Sequence, residues 1–134
     1  GFAGEFGSAG GDVSIQLNHV TANNRMCPAD GSGAPAYGGV GIALLGSQNT
    51  VVALNDVRDN VEQTGSAFPG GGIVIATLEA VPDVSPASLS PTGNSVRLNW
   101  LSGNTPNDVY GDGSGTGNTV GGNPCPTTNL AGAC

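Results

Sequence analysis

The 134-residue chain is rich in glycine, with 24 such residues, and poor in charge, because only 10% of its residues are Asp, Glu, Lys or Arg and none is a lysine. Ten acids against three arginines give a formal net charge of -7, which excludes a basic nucleic-acid surface and a polybasic membrane patch. The length allows one domain, no apolar run approaches the roughly 20 residues of a membrane span, and a 37% hydrophobic content is not that of a disordered chain.

The first eleven residues, 1–11, are set apart from the rest of the chain. They contain the run Glu5-Phe6-Gly7-Ser8, which is typical of a sequence left by cloning. The alternative is that Phe2 and Phe6 belong to half of a first repeat. In either case, residues 12–134 are predicted to form the single domain.

A repeat begins shortly after this segment and occurs three times without a gap. Each copy has an apolar residue, a variable residue, Leu, Asn, a variable residue, an apolar residue, two variable residues and a second Asn. The copies start at Ile15, Val52 and Val96, and a weaker fourth copy aligns Asn118–Asn123 with Asn94–Asn99. The shortest spacing between equivalent asparagines, 24 residues, is taken as the bare repeat, and the longer spacings then contain loops. The first asparagine of the repeat forms a column: Asn18, Asn55, Asn99 and Asn123.

Short β-branched runs flanked by glycine lie between these blocks and predict strands. No segment predicts a helix, because the best candidate, Ala80–Leu89, contains Pro82 and Pro86. The stretches rich in Pro, Gly, Ser or Asp predict loops. The predicted strands are Gly39–Leu44, Gly72–Ala76 and Asp108–Tyr110, and the predicted loops are 25–37, 62–70 and 81–92.

Strands this short cannot bury an apolar face alone. Stacking at about 4.8 Å per rung gives every backbone donor and acceptor a partner in the rung above or below. We therefore expect a coil of stacked rungs, in which like residues form ladders. The alternative, an antiparallel sandwich with chance Asn-rich turns, is disfavoured by the four in-phase asparagines. The ladders expected to point inward are Ile15/Val52/Val96/Val120, Leu17/Leu54/Leu98 and Val20/Val57/Leu101.

The asparagine column fits the turn between two strands. Asn tolerates the left-handed backbone conformation, and its side-chain amide can pair with the Asn of the next rung. The four asparagines of the column are therefore predicted to adopt this conformation and to form a structural ladder.

The leucine–asparagine repeats and the C-terminal run from Asn107 to Asn118, through Cys125 and Cys134, carry a resemblance to a known fold family. Over residues 12–134 the chain resembles right-handed parallel β-helix proteins of the pectate-lyase-like superfamily, and among them the secreted repeat proteins of high-GC bacteria. The resemblance implies an all-β, right-handed parallel β-helix (a β-solenoid) of about four rungs with inserted loops. Family members usually have more rungs, so we expect either the C-terminal piece of a longer coil or a short coil capped by loops or by a neighbour.

The three cysteines are predicted to form one disulfide. Cys125 and Cys134 close a small loop rich in Pro and Thr, where a disulfide would hold the terminal rung in place. Cys27 is left over in a loop, either free or paired with a missing segment. Metal binding is the competing use, but the cysteines and His19 lie at no zinc spacing. The acidic, lysine-free, disulfide-compatible composition favours a secreted or extracellular protein.

Candidate catalytic groups are few. The chain has no Gly-x-Ser-x-Gly nucleophile elbow. Polysaccharide lyases of the resembling fold typically use calcium-binding carboxylates with an Arg or Lys base, and its glycosidases use clustered Asp. The dense charges near predicted strand ends are Asp56, Arg58, Asp59 and Arg97, without a paired-Asp cluster.

Calcium is the one cofactor alternative. The loop from Asp108 to Asn118 is rich in glycine and contains the carboxylates Asp108 and Asp112. It fits neither the EF-hand pattern nor the Gly-Gly-x-Gly-x-Asp calcium repeat. We therefore expect a glycine-supported turn here, with no metal or other cofactor.

The residue after each ladder asparagine is expected to point outward, about 4.8 Å from its equivalent in the next rung. An exposed Trp among polar groups is a stacking platform for a sugar ring. The alternative is a set of ordinary solvated strand residues with Trp100 covered by the loop 81–92. The outward column consists of His19, Asp56, Trp100 and Pro124, with Arg58 beside Thr21 and Ser102.

These observations favour a secreted, non-catalytic module with a structural or surface-binding role and carbohydrate as the preferred ligand. One alternative is a polysaccharide lyase or glycoside hydrolase, or its C-terminal portion, with His19, Asp56 and Arg58 as catalytic residues. The other is a self-associating surface or filament protein that stacks through open coil ends. No nucleic-acid partner and no membrane span are expected. The expected ligand-binding residues are Trp100, His19, Asp56, Arg58 and Arg97.

Overall fold

The computed structural model describes residues 11–30, 36–78 and 89–134. The described chain contains ten β-strands and no helix. The expectations for residues 1–10, for the candidate helix in 80–88 and for most of the loop 81–92 lie outside the described residues. In chain order the strands are β1 (Ser14–Gln16), β2 (His19–Thr21), β3 (Val40–Leu45), β4 (Val51–Ala53), β5 (Asp56–Arg58), β6 (Gly71–Ala76), β7 (Ser95–Arg97), β8 (Trp100–Ser102), β9 (Val109–Gly111) and β10 (Thr119–Gly121).

The strands form three parallel sheets, because each strand pairs with the strand three places later in the chain. Sheet 1 has the order β1-β4-β7-β10, sheet 2 the order β2-β5-β8 and sheet 3 the order β3-β6-β9. The chain therefore visits all three sheets before it returns to the first. The predictions of an all-β protein and of parallel stacking are confirmed, and the arrangement is consistent with a parallel β-helix.

The core lies between the three sheets and is built from one inward residue per short strand and two per long strand. Two of the three predicted inward ladders are confirmed by the register: Val52 pairs with Val96, and Val57 pairs with Leu101. Each of these side chains is at most 1% exposed. Sheet 3 contributes the other large core residues: Ile42, Leu44, Ile73, Ile75 and Val109.

The third predicted ladder is wrong, because Leu17, Leu54 and Leu98 point outward. They are 78%, 50% and 56% exposed. Each occupies the corner between a strand of sheet 1 and a strand of sheet 2, and each has a positive φ of 57°, 57° and 55°. The prediction that asparagine adopts the left-handed conformation is wrong for the same reason. The leucine makes the turn, which directs its own side chain to solvent and the following asparagine inward.

The predicted asparagine ladder is confirmed, and its members are joined by pairs of hydrogen bonds. Asn55 donates its backbone N–H and its Nδ2 to Oδ1 of Asn99, at 3.0 and 2.9 Å, and Asn99 donates in the same way to Asn123 at 3.0 Å. Asn18 donates to Asn55 with the same pattern. The Nδ2 of Asn99 also donates to the carbonyls of Val52 and Arg97. The buried side-chain amides of the ladder thus find hydrogen-bond partners in the backbone and side chains of the corner where they lie.

A second ladder, for which the sequence analysis assigned no role, runs along the corner after sheet 2. It consists of Asn23, Asn60, Asn104 and, at its end, Asp108. A third joins Asn94 to Asn118 at the corner before sheet 1. At most of these corners, as at the first, the residue before the ladder asparagine has a positive φ: Ala22, Asp59, Gly93, Gly103 and Gly117.

The C-terminal segment completes the last repeat and then covers the core. Leu101 donates its N–H to the carbonyl of Pro124 at 2.9 Å, and the backbone N–H of Asp108 donates to the carbonyl of Thr127 at 2.9 Å. Ala133 is fully buried against the core, with Leu130 packed beside it. The predicted disulfide joins Cys125 to Cys134, whereas Cys27 is free and exposed.

We expect Val57→Asp to abolish folding, because it places an unpaired charge in the core between sheets. Leu54→Asn should change the free energy of unfolding by less than about 1 kcal/mol, because Leu54 is solvent-exposed and asparagine tolerates its left-handed backbone. Urea unfolding followed by circular dichroism checks both variants. Similar losses at the two positions would contradict the assignment of the inward and outward faces.

Asn99→Ala should lower the free energy of unfolding by at least about 3 kcal/mol, because two buried donors of Asn55 lose their shared acceptor and two carbonyls lose a donor. The matched control is Asn107→Ala, since Asn107 accepts a hydrogen bond from Gly72 through its backbone carbonyl. Chemical denaturation of both variants measures the difference. Equal stability losses would show that the ladder does not hold the corner together.

Removal of the terminal disulfide by the paired change Cys125→Ser and Cys134→Ser should cost about 2.5 kcal/mol by the loop-entropy estimate, given a sequence separation of 9. Cys27→Ser should leave stability unchanged because Cys27 is exposed. Thermal unfolding under non-reducing conditions checks the cost. Peptide mapping that linked Cys27 to either terminal cysteine would contradict the pairing.

Candidate functional site

The outer face of sheet 2 carries the residues that the sequence analysis singled out. Strand alternation directs Val57 and its equivalents inward, so the residues on either side of them point to solvent. The register places His19 opposite Asp56 and Asp56 opposite Trp100. We call His19, Asp56, Arg58 and Trp100 the sheet 2 face.

Three of these side chains are in direct contact. His19 Nδ1 lies 2.9 Å from Asp56 Oδ2, and Arg58 Nε donates a hydrogen bond to Asp56 Oδ1. Asp56 therefore bridges the histidine of the preceding repeat and the arginine of its own strand. Because the His19 side chain is 65% exposed and that of Arg58 is 44% exposed, both remain available to a ligand.

Trp100 completes the face and is 58% exposed. More than half of its surface is therefore accessible to a ligand. An exposed indole next to a hydrogen-bonding triad offers an apolar plane with polar groups at its border.

His19 has the geometry of an oriented imidazole. With Nδ1 directed at Asp56, the tautomer that donates from Nδ1 leaves Nε2 as an acceptor toward solvent. The arrangement can hold a ligand hydroxyl, and it can also accept a proton from one. Both carboxylate oxygens of Asp56 are already engaged by His19 and Arg58.

The structure does not bring Arg97 onto this face. Arg97 lies on β7 in sheet 1, opposite Ala53 and Gly121, on the other side of the corner formed by Leu98 and Asn99. It is exposed on the neighbouring sheet. The exposed leucine row described above lies along the border between the two sheets.

The carboxylates considered for calcium are occupied by protein donors. Asp108 is 1% exposed; its Oδ1 accepts from Asn104 and its Oδ2 from Thr127, so it ends the second ladder. Asp112 accepts from Thr77 and Ser114. Burial opposes ionisation of Asp112, but these hydrogen bonds outweigh it and lower its pKa. In residues 11–30, 36–78 and 89–134, no group of three or more His, Cys, Asp or Glu side chains could hold a metal ion.

Sequence reasoning missed a cleft on the outer face of sheet 3, which is formed by Arg25, Cys27, Tyr37 and neighbouring residues. These residues lie in a stretch that the sequence analysis assigned only as a loop. The available indication was the apolar character of every position in β3 and β6, on the outer face as well as the inner one. A strand that is apolar on both faces indicates that its outer face is covered.

Comparison of the chain with protein-family models, curated proteins and solved structures gives no match. Within the described part of the chain, no helix has the length and apolar character needed to cross a bilayer. The disulfide is consistent with an extracellular protein.

Proposed function

We propose that the protein is a short right-handed parallel β-helix, similar to those of the pectate-lyase-like superfamily, that acts as a secreted, non-catalytic carbohydrate-binding module. The observation that supports this proposal is the register of sheet 2. It sets the exposed Trp100 in line with Asp56 and His19, which are joined by a 2.9 Å contact.

A sugar ring suits the chemistry of the sheet 2 face. Its C–H face packs on an indole plane, and its hydroxyl groups exchange hydrogen bonds with charged and neutral polar side chains. His19 Nε2 and the remaining guanidinium N–H groups of Arg58 supply an acceptor and donors on the same side of the sheet. Because Arg58 is positively charged, a neutral or acidic sugar is favoured over a basic partner. Because His19 offers a polar group, a sugar is also favoured over a purely apolar ligand.

Catalysis is the second candidate, and the His19–Asp56 contact is the observation that favours it. A carboxylate that orients an imidazole is a common element of general-base sites. Glycoside hydrolysis requires two carboxyl groups that face each other across the substrate. Asp59, the other carboxylate near the end of β5, occupies the corner opposite Gly103. We therefore prefer carbohydrate binding to catalysis as the proposed function.

Stacking of copies through both ends of the coil is not part of the proposal. Residues 124–134 complete the last repeat and cover the core at the C-terminal end. At this end the edges of sheets 2 and 3 are already paired with Pro124 and Thr127, whereas β10 is the edge strand of sheet 1.

Trp100→Ala should weaken binding of a carbohydrate found by glycan-array screening by about 1–3 kcal/mol, because the stacking plane is lost. Trp100→Phe should recover part of the affinity, and Gln16→Ala on sheet 1 is the matched control. Isothermal titration measures all of them, and in the unmodified chain the emission of Trp100 should shift or be quenched. Unchanged affinity in Trp100→Ala would contradict this site.

His19→Ala separates binding from catalysis. If the face only binds, the variant loses one hydrogen bond, which costs about 1 kcal/mol of affinity. If His19 is a general base, product formation from the same polysaccharide falls by about 100-fold or more. Product detection on the arrayed polysaccharides distinguishes the two results.

A further inference from the structure

A cleft of about 500 Å³ opens on the outer face of sheet 3. Its floor is made of Ala43, Leu45 and Val74, which alternate along β3 and β6 with the core residues. Phe68 and Pro69 form one wall. Leu45 and Val74 are themselves buried, at 4% and 1% exposed, so the apolar surface that the cleft leaves partly accessible consists of Ala43 with Val40 and Phe68.

The walls of the cleft are tied together by hydrogen bonds between two loops. Ala67 donates to the carbonyl of Ala36 at 2.8 Å, and Val61 donates to Oδ1 of Asn24 at 2.7 Å. Within the first loop, Cys27 and Tyr37 pair as a short antiparallel bridge. The cleft is therefore preformed, which reduces the ordering cost of binding a ligand.

Among the described residues that line the cleft, Arg25 is the charged side chain, and the nearest acid that acts on the rim is Asp30, next to Tyr37. The described ion pairs join Asp56 to His19 and to Arg58, and neither of them involves Arg25. In a chain of net charge -7, a cation above an apolar floor is an unusual environment. It favours a ligand that carries a negative charge on an apolar body.

Tyr37 contributes a neutral phenol to the same rim. Its pKa lies above the ordinary value, first because of the charge of the neighbouring Cys27, then because of their hydrogen bond, burial and the charge of Asp30. The phenol therefore stays protonated at neutral pH and adds no repulsion toward an anion.

We propose that this cleft binds a small aromatic carboxylate, with its ring on the apolar floor and its carboxylate on Arg25. The volume lies within the range of small-molecule sites, roughly 300–1,000 Å³. Arg is suited to this role because its planar guanidinium recognises a carboxylate through two parallel hydrogen bonds. The site is separate from the sheet 2 face, so it does not depend on the carbohydrate proposal.

Two probes of the same shape test the charge requirement: 2-naphthoate and the neutral 2-naphthylmethanol. Isothermal titration should show about tenfold tighter binding of 2-naphthoate, as expected for one charge-assisted contact. Arg25→Gln should bring its affinity down to that of the alcohol. Gln16→Glu changes the net charge by the same amount on sheet 1 and should leave both affinities unchanged. Equal affinities of the two probes in the unmodified chain, or an unchanged affinity in Arg25→Gln, would overturn the proposal.

Two further measurements locate the bound probe. Alkylation of Cys27 by iodoacetamide, followed by mass spectrometry, should be several-fold slower with saturating 2-naphthoate, because Cys27 lines the cleft. Ala43→Phe should fill the floor and prevent binding of both probes. The alkylation measurement uses the unmodified chain and does not depend on the folding of this variant. An alkylation rate that is insensitive to 2-naphthoate would place the probe elsewhere and overturn the proposal.

Discussion

The need to satisfy buried amide groups at the corners governs this structure. Three sheets of three-residue and six-residue strands meet at tight turns, and each turn removes backbone groups from the strand ladders. An inward asparagine supplies what is missing, since one side-chain oxygen accepts two N–H groups of the preceding repeat and one side-chain nitrogen reaches nearby carbonyls. Without these amides, the corners would leave several buried polar groups unpaired in every repeat.

The geometry of the corners also determines which side chains are exposed to solvent. At each turn, a residue with a left-handed backbone is followed by an asparagine that points inward. This pair fixes which residues of the next strand point inward and which point outward. The next residue, such as His19 or Trp100, therefore points outward in every repeat. The same geometry exposes Leu54 and its equivalents, although their hydrophobicity alone predicts burial. Both the sheet 2 face and the leucine row next to it are consequences of one turn conformation.

The repeat, the parallel stacking, the first asparagine ladder and the terminal disulfide could be predicted from the sequence, because they depend on identity and spacing. The outward column could be predicted for the same reason, as the register depends only on the alignment of the repeats. The left-handed leucines could not, because leucine rarely adopts that conformation and a hydrophobic column normally indicates a core. The cleft at Arg25 could not be predicted either, since it depends on how two loops without a repeat pack on sheet 3.

The ladders have a chemical direction. An asparagine side chain both accepts and donates, whereas Asp108 only accepts, and it closes its ladder by taking hydrogen bonds from Asn104 on one side and Thr127 on the other. Hydrolysis of a single ladder amide to a carboxylate would therefore turn an internal position into an end. Succinimide formation, the usual route of asparagine ageing, is fastest when glycine follows the asparagine. No asparagine in this chain precedes a glycine, and Asn55, Asn60 and Asn99 are followed by Asp56, Val61 and Trp100. The side chains that give the sheet 2 face its binding groups also slow the chemical decay of the amides beside them.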